Sequence, residues 1–223
     1  MDERVEPQGI EVWVAMTDQA PGAAYALGVD RVVLGDARRF PYRSAPASWD
    51  YLAVRFLACL AVSQATAPGD IGRTMRVGVR SRDVPVPYFP DHPEVWVSWS
   101  HSAGHVGVAL SKAAVGFDLE PAERRPRPRR LRHGAGPMRG WTDWTKDEAQ
   151  LKHAGAAVLA DTTDTSPCPV RSVTIPLGGR RVVLSVASRR LSQTAPTVHT
   201  AGPVCGWELT KLRFAMDQQA VAS

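Results

Sequence analysis

The chain has 223 residues, a formal net charge of +5 at pH 7 and 44% hydrophobic residues, with 18 glycines, 18 prolines and three cysteines. That is the composition of a folded soluble protein with many loops, long enough for one substantial core or two small lobes sharing one. Cys59, Cys168 and Cys205 neither pair off completely nor show metal-ligand spacing, which argues against a disulfide framework and for a reducing, cytoplasmic setting.

The N-terminal Met1-Asp2-Glu3-Arg4 is followed by no apolar export signal, and the longest apolar run, Leu52 to Val62, contains Arg55. It is too short to span a bilayer, so no membrane association is expected. Ile10 to Ala15 alternates as a strand, and Gln19 to Gly28 is loop-like. Gly35 to Arg43 is basic, with Arg38, Arg39 and Arg43, and reads on its own terms as a solvated turn. Ser48 is a suitable N-cap for a helix to about Gln64, whose Leu52, Phe56, Cys59 and Leu60 recur at helical spacing and belong to the core. Pro68-Gly69 breaks the chain, and Met75 to Val79 alternates as a strand.

Val95 to Trp99, Val106 to Leu110 and Val115 to Glu120 follow closely, and a meander of three adjacent strands is the economical reading, with His101 on the loop ending the first. Pro121 to Gly140 is a loop rich in Arg, Pro and Gly, with six arginines between Arg124 and Arg132, and it implies an acidic partner. A helix is expected from about Thr145 to Leu159, and a hairpin from Val170 to Ile175 and Arg181 to Ala187 around Gly178-Gly179. Ser192 to Pro203 reads as loop, and Trp207 to Phe214 as a last strand or short helix. No internal repeat is present.

The chemistry concentrates between Ser98 and Gly155. Val115, Phe117 and Leu119 alternate with Gly116, Asp118 and Glu120, so both carboxylates leave one strand on the same side. Glu148 and Lys152 are four residues apart and stack on one helical surface. Three carboxylates and a lysine meeting across a strand and a helix suit magnesium, which takes oxygen ligands from one or two carboxylates plus substrate phosphates. The plainer readings are a solvated strand face for Asp118 and Glu120 and a capping box for Thr145 with Glu148. His101 and His105 lack the helix and the further ligands of a zinc site, and no Gly-x-Ser-x-Gly elbow supports a hydrolase.

Three blocks in order, Ser100-His101-Ser102, Gly116-Phe117-Asp118-Leu119-Glu120 and Trp144-Thr145-Lys146-Asp147-Glu148-Ala149-Gln150-Leu151-Lys152, resemble the Sfp-type 4'-phosphopantetheinyl transferase family. Asp147 stands where that family normally has lysine, close enough to the cleft rim to repel phosphate. The resemblance implies an α+β fold of two similar lobes, residues 1–112 and 113–223, each a small antiparallel sheet with a long helix and the active site between them. It implies transfer of 4'-phosphopantetheine from coenzyme A to a serine of an acyl or peptidyl carrier protein of polyketide or nonribosomal peptide synthesis. The implied metal ligands are Asp118, Glu120 and Glu148 for Mg2+, and the implied catalytic pair is Glu148 and Lys152, with the base either Glu148 or a water on the metal and Lys152 on the departing phosphate. Arg38, Arg39, Arg43, Ser100, His101 and Lys146 would contact coenzyme A, and the Arg124 to Arg132 loop would dock an acidic carrier on a monomeric enzyme. Two other classes stay open: a nucleic-acid-binding protein gripping phosphates with that loop, and a degenerate transferase that binds without turnover.

Overall fold

The computed structural model describes residues 9–21, 29–34, 45–66, 73–79, 86–123, 140–159, 168–192, 195–201 and 207–208. The elements run β1 (Glu11–Met16), β2 (Val29–Leu34), α1 (Ala45–Thr66), β3 (Arg73–Val79), β4 (Pro87–Tyr88), β5 (Trp96–Ser102), β6 (His105–Ser111), β7 (Gly116–Pro121), α2 (Trp141–Leu159), β8 (Val170–Leu177), β9 (Arg180–Ala187), β10 (Thr197–Ala201) and β11 (Trp207–Glu208). The fold class is α+β, as expected.

Strands order as β11-β10-β1-β6-β5, β2-β3-β4 and β7-β9-β8. One face of the five-stranded sheet packs on α1: Trp13, Ala15, Val97, Val106, Val108 and Leu110 join Val54, Leu57 and Ala61 in one buried cluster. The opposite face supplies Val12, Val14 and Ala109, which meet Phe117, Leu119, Val182, Leu184 and Val186 from the three-stranded sheet. Gly107 leaves the room for this: a Cβ there would lie 2.6 Å from Leu119 Cδ2 and 2.7 Å from Phe117 Cε1. The far face of the three-stranded sheet carries α2.

The expected meander is corrected here. β5 and β6 pair as an antiparallel hairpin, but β6 gives its other edge to β1, and β7 pairs with β9 in a different sheet. β6 is buried along its whole length, so β7 meets it face to face instead of extending the sheet. His101 lies within β5, because the strand runs on to a tight turn at Ala103 (φ 49) and Gly104 (φ 82). The β8–β9 hairpin forms as read, with Gly178 (φ 58) and Gly179 (φ 75) in the left-handed conformations a two-residue turn of this hand needs.

Three other expectations shift. α1 begins at Ala45, so Ser48 lies inside it and is not its cap. The stretch expected as loop contains β10, which pairs in parallel with β1 and so brings residues from beyond position 113 into the sheet of β1, β5 and β6. β2, paired in parallel with β3, was not anticipated. Among the described residues no helix is long and apolar enough to cross a membrane.

Candidate active site

The site lies where two sheet edges meet, β5 of one sheet beside β7 of the other. An edge strand leaves backbone groups unpaired, and buried ones need partners. At Phe117 both are met from outside the sheet: its N–H donates to Ser98 Oγ at 3.0 Å, and its carbonyl accepts from Lys152 Nζ at 2.9 Å. Along β7 Phe117 and Leu119 turn into the core, so Asp118 and Glu120 share the other face as the alternation requires.

Asp118 is buried, at 5% exposure. Its Oδ1 accepts hydrogen bonds from Ser100 Oγ at 2.7 Å and from Lys152 Nζ at 2.7 Å. Its Oδ2 is also buried and has no hydrogen-bond partner among the described residues. Glu120, half-buried, accepts a hydrogen bond from Ser102 Oγ. Lys152 spends its three protons on Asp118, Phe117 O and, more weakly, Trp99 O at 3.3 Å. A helix, two strands and a buried carboxylate thus converge on one ammonium.

Gly116 makes the convergence possible. A Cβ at this position would sit 1.9 Å from the carbonyl oxygen of Ala149 and 2.5 Å from the backbone nitrogen of His153. The backbone of α2 therefore rests directly on β7, and the Lys152 side chain reaches Asp118 from one turn beyond Ala149. Helical geometry then sorts the third sequence block. Glu148 and Lys152 are about 40° apart on the flank nearer β5, Lys146 is about 160° from Glu148 on the other flank, and Asp147 is about 160° from the buried Ala149. Asp147 is accordingly exposed, on the face of α2 turned away from β7.

The capping box is also corrected. α2 starts at Trp141, with Asp143 in its first turn and Trp144 N donating to Gly140 O. Thr145 is a full turn inside, fully buried, with its hydroxyl 3.2 Å from Thr142 O and 2.7 Å from Ser185 Oγ. It cannot cap a helix that has already begun.

The Ser-His-Ser block splits by strand alternation. Ser100 and Ser102 face β7, whereas His101 turns to the α1 side, where its Nδ1 is 3.9 Å from Asp50 Oδ2; Asp50 Oδ1 also accepts from Thr17 Oγ1 at 2.7 Å. Ser100 and His101 therefore do not act on one point. His105 is buried in β6 with Nδ1 3.1 Å from Ala103 O, apart from any zinc arrangement with His101. Arg38, Arg39, Arg43 and the Arg124 to Arg132 run lie outside the described residues.

An open pocket of about 320 Å³ adjoins Lys152, walled by Val86, Pro87, Val97, Trp99, Val115 and Leu151. Trp99 is backed by the buried Arg55, whose guanidinium lies 4.7 Å from its ring centroid and 3.3 Å from that of Tyr51. Burial of Cys59 one turn further along α1 pushes its thiol up to about 12, partly offset by Arg55.

Among the described residues no three His, Cys, Asp or Glu side chains close around a single point. The donors present nevertheless fit magnesium held by one or two carboxylates with water and substrate phosphate completing its shell, because Asp118 offers an oxygen with no partner among the described residues and Glu120 shares its face. Sequence reasoning gave Ser98 no role and named Ser102 only within the Ser-His-Ser block, without its contact to Glu120. Their signal was a second alternation, Ser98, Ser100 and Ser102 against Val97, Trp99 and His101.

No protein-family model and no curated protein matches the chain. The functional reading is therefore carried by the residues of the site and the order of their motifs.

Proposed function

We propose that this protein transfers 4'-phosphopantetheine from coenzyme A to a serine of an acyl or peptidyl carrier protein. The observation that carries the reading is Asp118, whose one oxygen is fixed by Lys152 and Ser100 while the other is buried and has no partner among the described residues. Burying a carboxylate oxygen with no partner is costly unless something binds it. The three motif blocks that suggested the family supply the strand and helix residues around it.

Asp118 and Glu120 would hold magnesium, with Glu148 reaching from α2, and the chemistry it supplies there is neutralisation of the coenzyme A diphosphate. Glu148 takes the proton of the carrier serine as its oxygen bonds to phosphorus. The bond from that phosphorus to the bridging oxygen breaks, and adenosine 3',5'-bisphosphate leaves. Lys152 exchanges its long bond to Trp99 O for the departing phosphate, keeping Asp118 and Phe117 O as anchors. The apolar pocket beside Lys152 has room for the pantetheine arm.

The test follows the released nucleotide. With an apo carrier, coenzyme A and magnesium, chromatography should detect adenosine 3',5'-bisphosphate, and Asp118→Ala should lower its rate on the order of a hundredfold. Equal rates for a folded Asp118→Ala variant would remove the site from the reaction.

A further inference from the structure

We propose that Ser100 and Ser102 are positioning residues, whose hydroxyls set the Asp118 and Glu120 carboxylates for a divalent cation. The inference rests on the part of the functional reading that places a cation at these carboxylates. Ser98, Ser100 and Ser102 project from alternate positions of β5 and are all buried. Each meets a successive feature of β7: the Phe117 N–H, the Asp118 carboxylate and the Glu120 carboxylate. Buried mid-strand serine gains little from packing, so three in register across a seam are explained by what they bond to.

The geometry has a direct chemical consequence. A carboxylate held through one oxygen loses its free rotation, and its second oxygen acquires a fixed direction. Asp118 has this form, with Oδ1 taken by Ser100 and Lys152 and Oδ2 left without a partner among the described residues. A serine hydroxyl has one proton to donate, and phosphate oxygens only accept. While Ser100 donates to Asp118 it has no proton for a coenzyme A phosphate. Its role is therefore to orient a ligand rather than to contact the substrate, which departs from what the sequence resemblance implies for it.

The experiment uses the full chain and Mn2+ as the probe, titrated calorimetrically into wild type, Ser100→Ala, Ser102→Ala and Ser102→Thr, with thermal melts as the folding control. Each alanine variant should bind Mn2+ about tenfold or more weakly, as expected when a hydrogen bond to a ligating group is removed, and Ser102→Thr should restore most of the loss. Coenzyme A binding measured in EDTA should be unchanged in Ser100→Ala. Should an alanine variant melt early, the cysteine variant at the same position, close in size and a weak donor, makes the same comparison. Folded alanine variants that bind Mn2+ as wild type does would overturn the proposal, as would loss of coenzyme A binding in EDTA with Mn2+ binding intact. A wild-type protein that binds no Mn2+, with or without coenzyme A, overturns both this inference and the cation site. Weakened Mn2+ binding in variants of a protein that modifies no carrier would keep the positioning role and remove only the transferase.

Discussion

Gly116→Ala tests how the site is assembled. The new Cβ would lie 1.9 Å from Ala149 O and 2.5 Å from His153 N, both backbone atoms of α2 that no rotamer change can move. Contacts of this kind need more than 3.0 Å, so the whole helix has to retreat from β7 by about 1 Å or more, an overpacking cost of about 1–3 kcal/mol. The same shift stretches the 2.7 Å Lys152–Asp118 bond and the 2.9 Å bond to Phe117 O, leaving a buried carboxylate poorly compensated. Lys152 is 31% exposed, so water recovers part of that loss, and a total of about 2–4 kcal/mol is expected. For a chain of this length that lowers Tm by roughly 5–15 °C, read by circular dichroism. If the effect runs through Lys152, the double variant Gly116→Ala with Lys152→Met should fall short of additivity by about 1 kcal/mol. A Gly116→Ala protein melting within about 1 °C of wild type would refute the close approach of α2 and with it the geometry of the site.

Lys152→Met should leave Asp118 buried without its cation, costing about 3 kcal/mol in urea denaturation, and should abolish transfer in the nucleotide-release assay. His153 is buried against β7, and desolvation, aided by Arg189, holds its imidazole below its usual value. The unfolded chain then binds the extra proton, so stability rises with pH through the window just below about 6.5 and is lost on acidification; His153→Gln should flatten that part of the urea-midpoint profile. Cys59, its thiol pushed up to about 12 by burial, should resist iodoacetamide at pH 8 in the folded protein and label only after unfolding, as peptide mass spectrometry would show. Asp147 is exposed on the outer face of α2, so Asp147→Lys should change the KM for coenzyme A by less than about twofold, a screened surface charge being weak.

Local patterns were legible where one face of an element is buried. The alternation of Phe117 and Leu119 with Asp118 and Glu120 placed both carboxylates on one side of β7, and Gly178-Gly179 marked a hairpin with left-handed turn residues. Sheet membership was not legible, because it depends on partners distant in sequence: β10 pairs with β1 across more than half the chain, and nothing within Thr197–Ala201 names that partner. β7 was assigned beside β6 for sequence proximity, but Gly107 gives Phe117 and Leu119 a surface to cover, and face packing won over edge pairing. In the site, helical spacing brought Glu148 and Lys152 to one flank, while Thr145 looked like a cap because the turn before it, Trp141 to Trp144, carries little helical periodicity of its own. Gly116 did carry a trace, since a glycine within a strand marks a close backbone approach, but nothing in the pattern names α2 as the element that approaches.

The most direct measurement is intact-protein mass spectrometry of an apo acyl or peptidyl carrier incubated with this protein, coenzyme A and magnesium, followed by fragmentation to locate the change. A phosphopantetheine adduct on the carrier serine, formed with magnesium, absent with EDTA and formed on the order of a hundredfold more slowly by Asp118→Ala, is the predicted result. A carrier that keeps its apo mass with the folded wild-type protein, while a known transferase modifies it fully under the same conditions, would contradict the proposed activity.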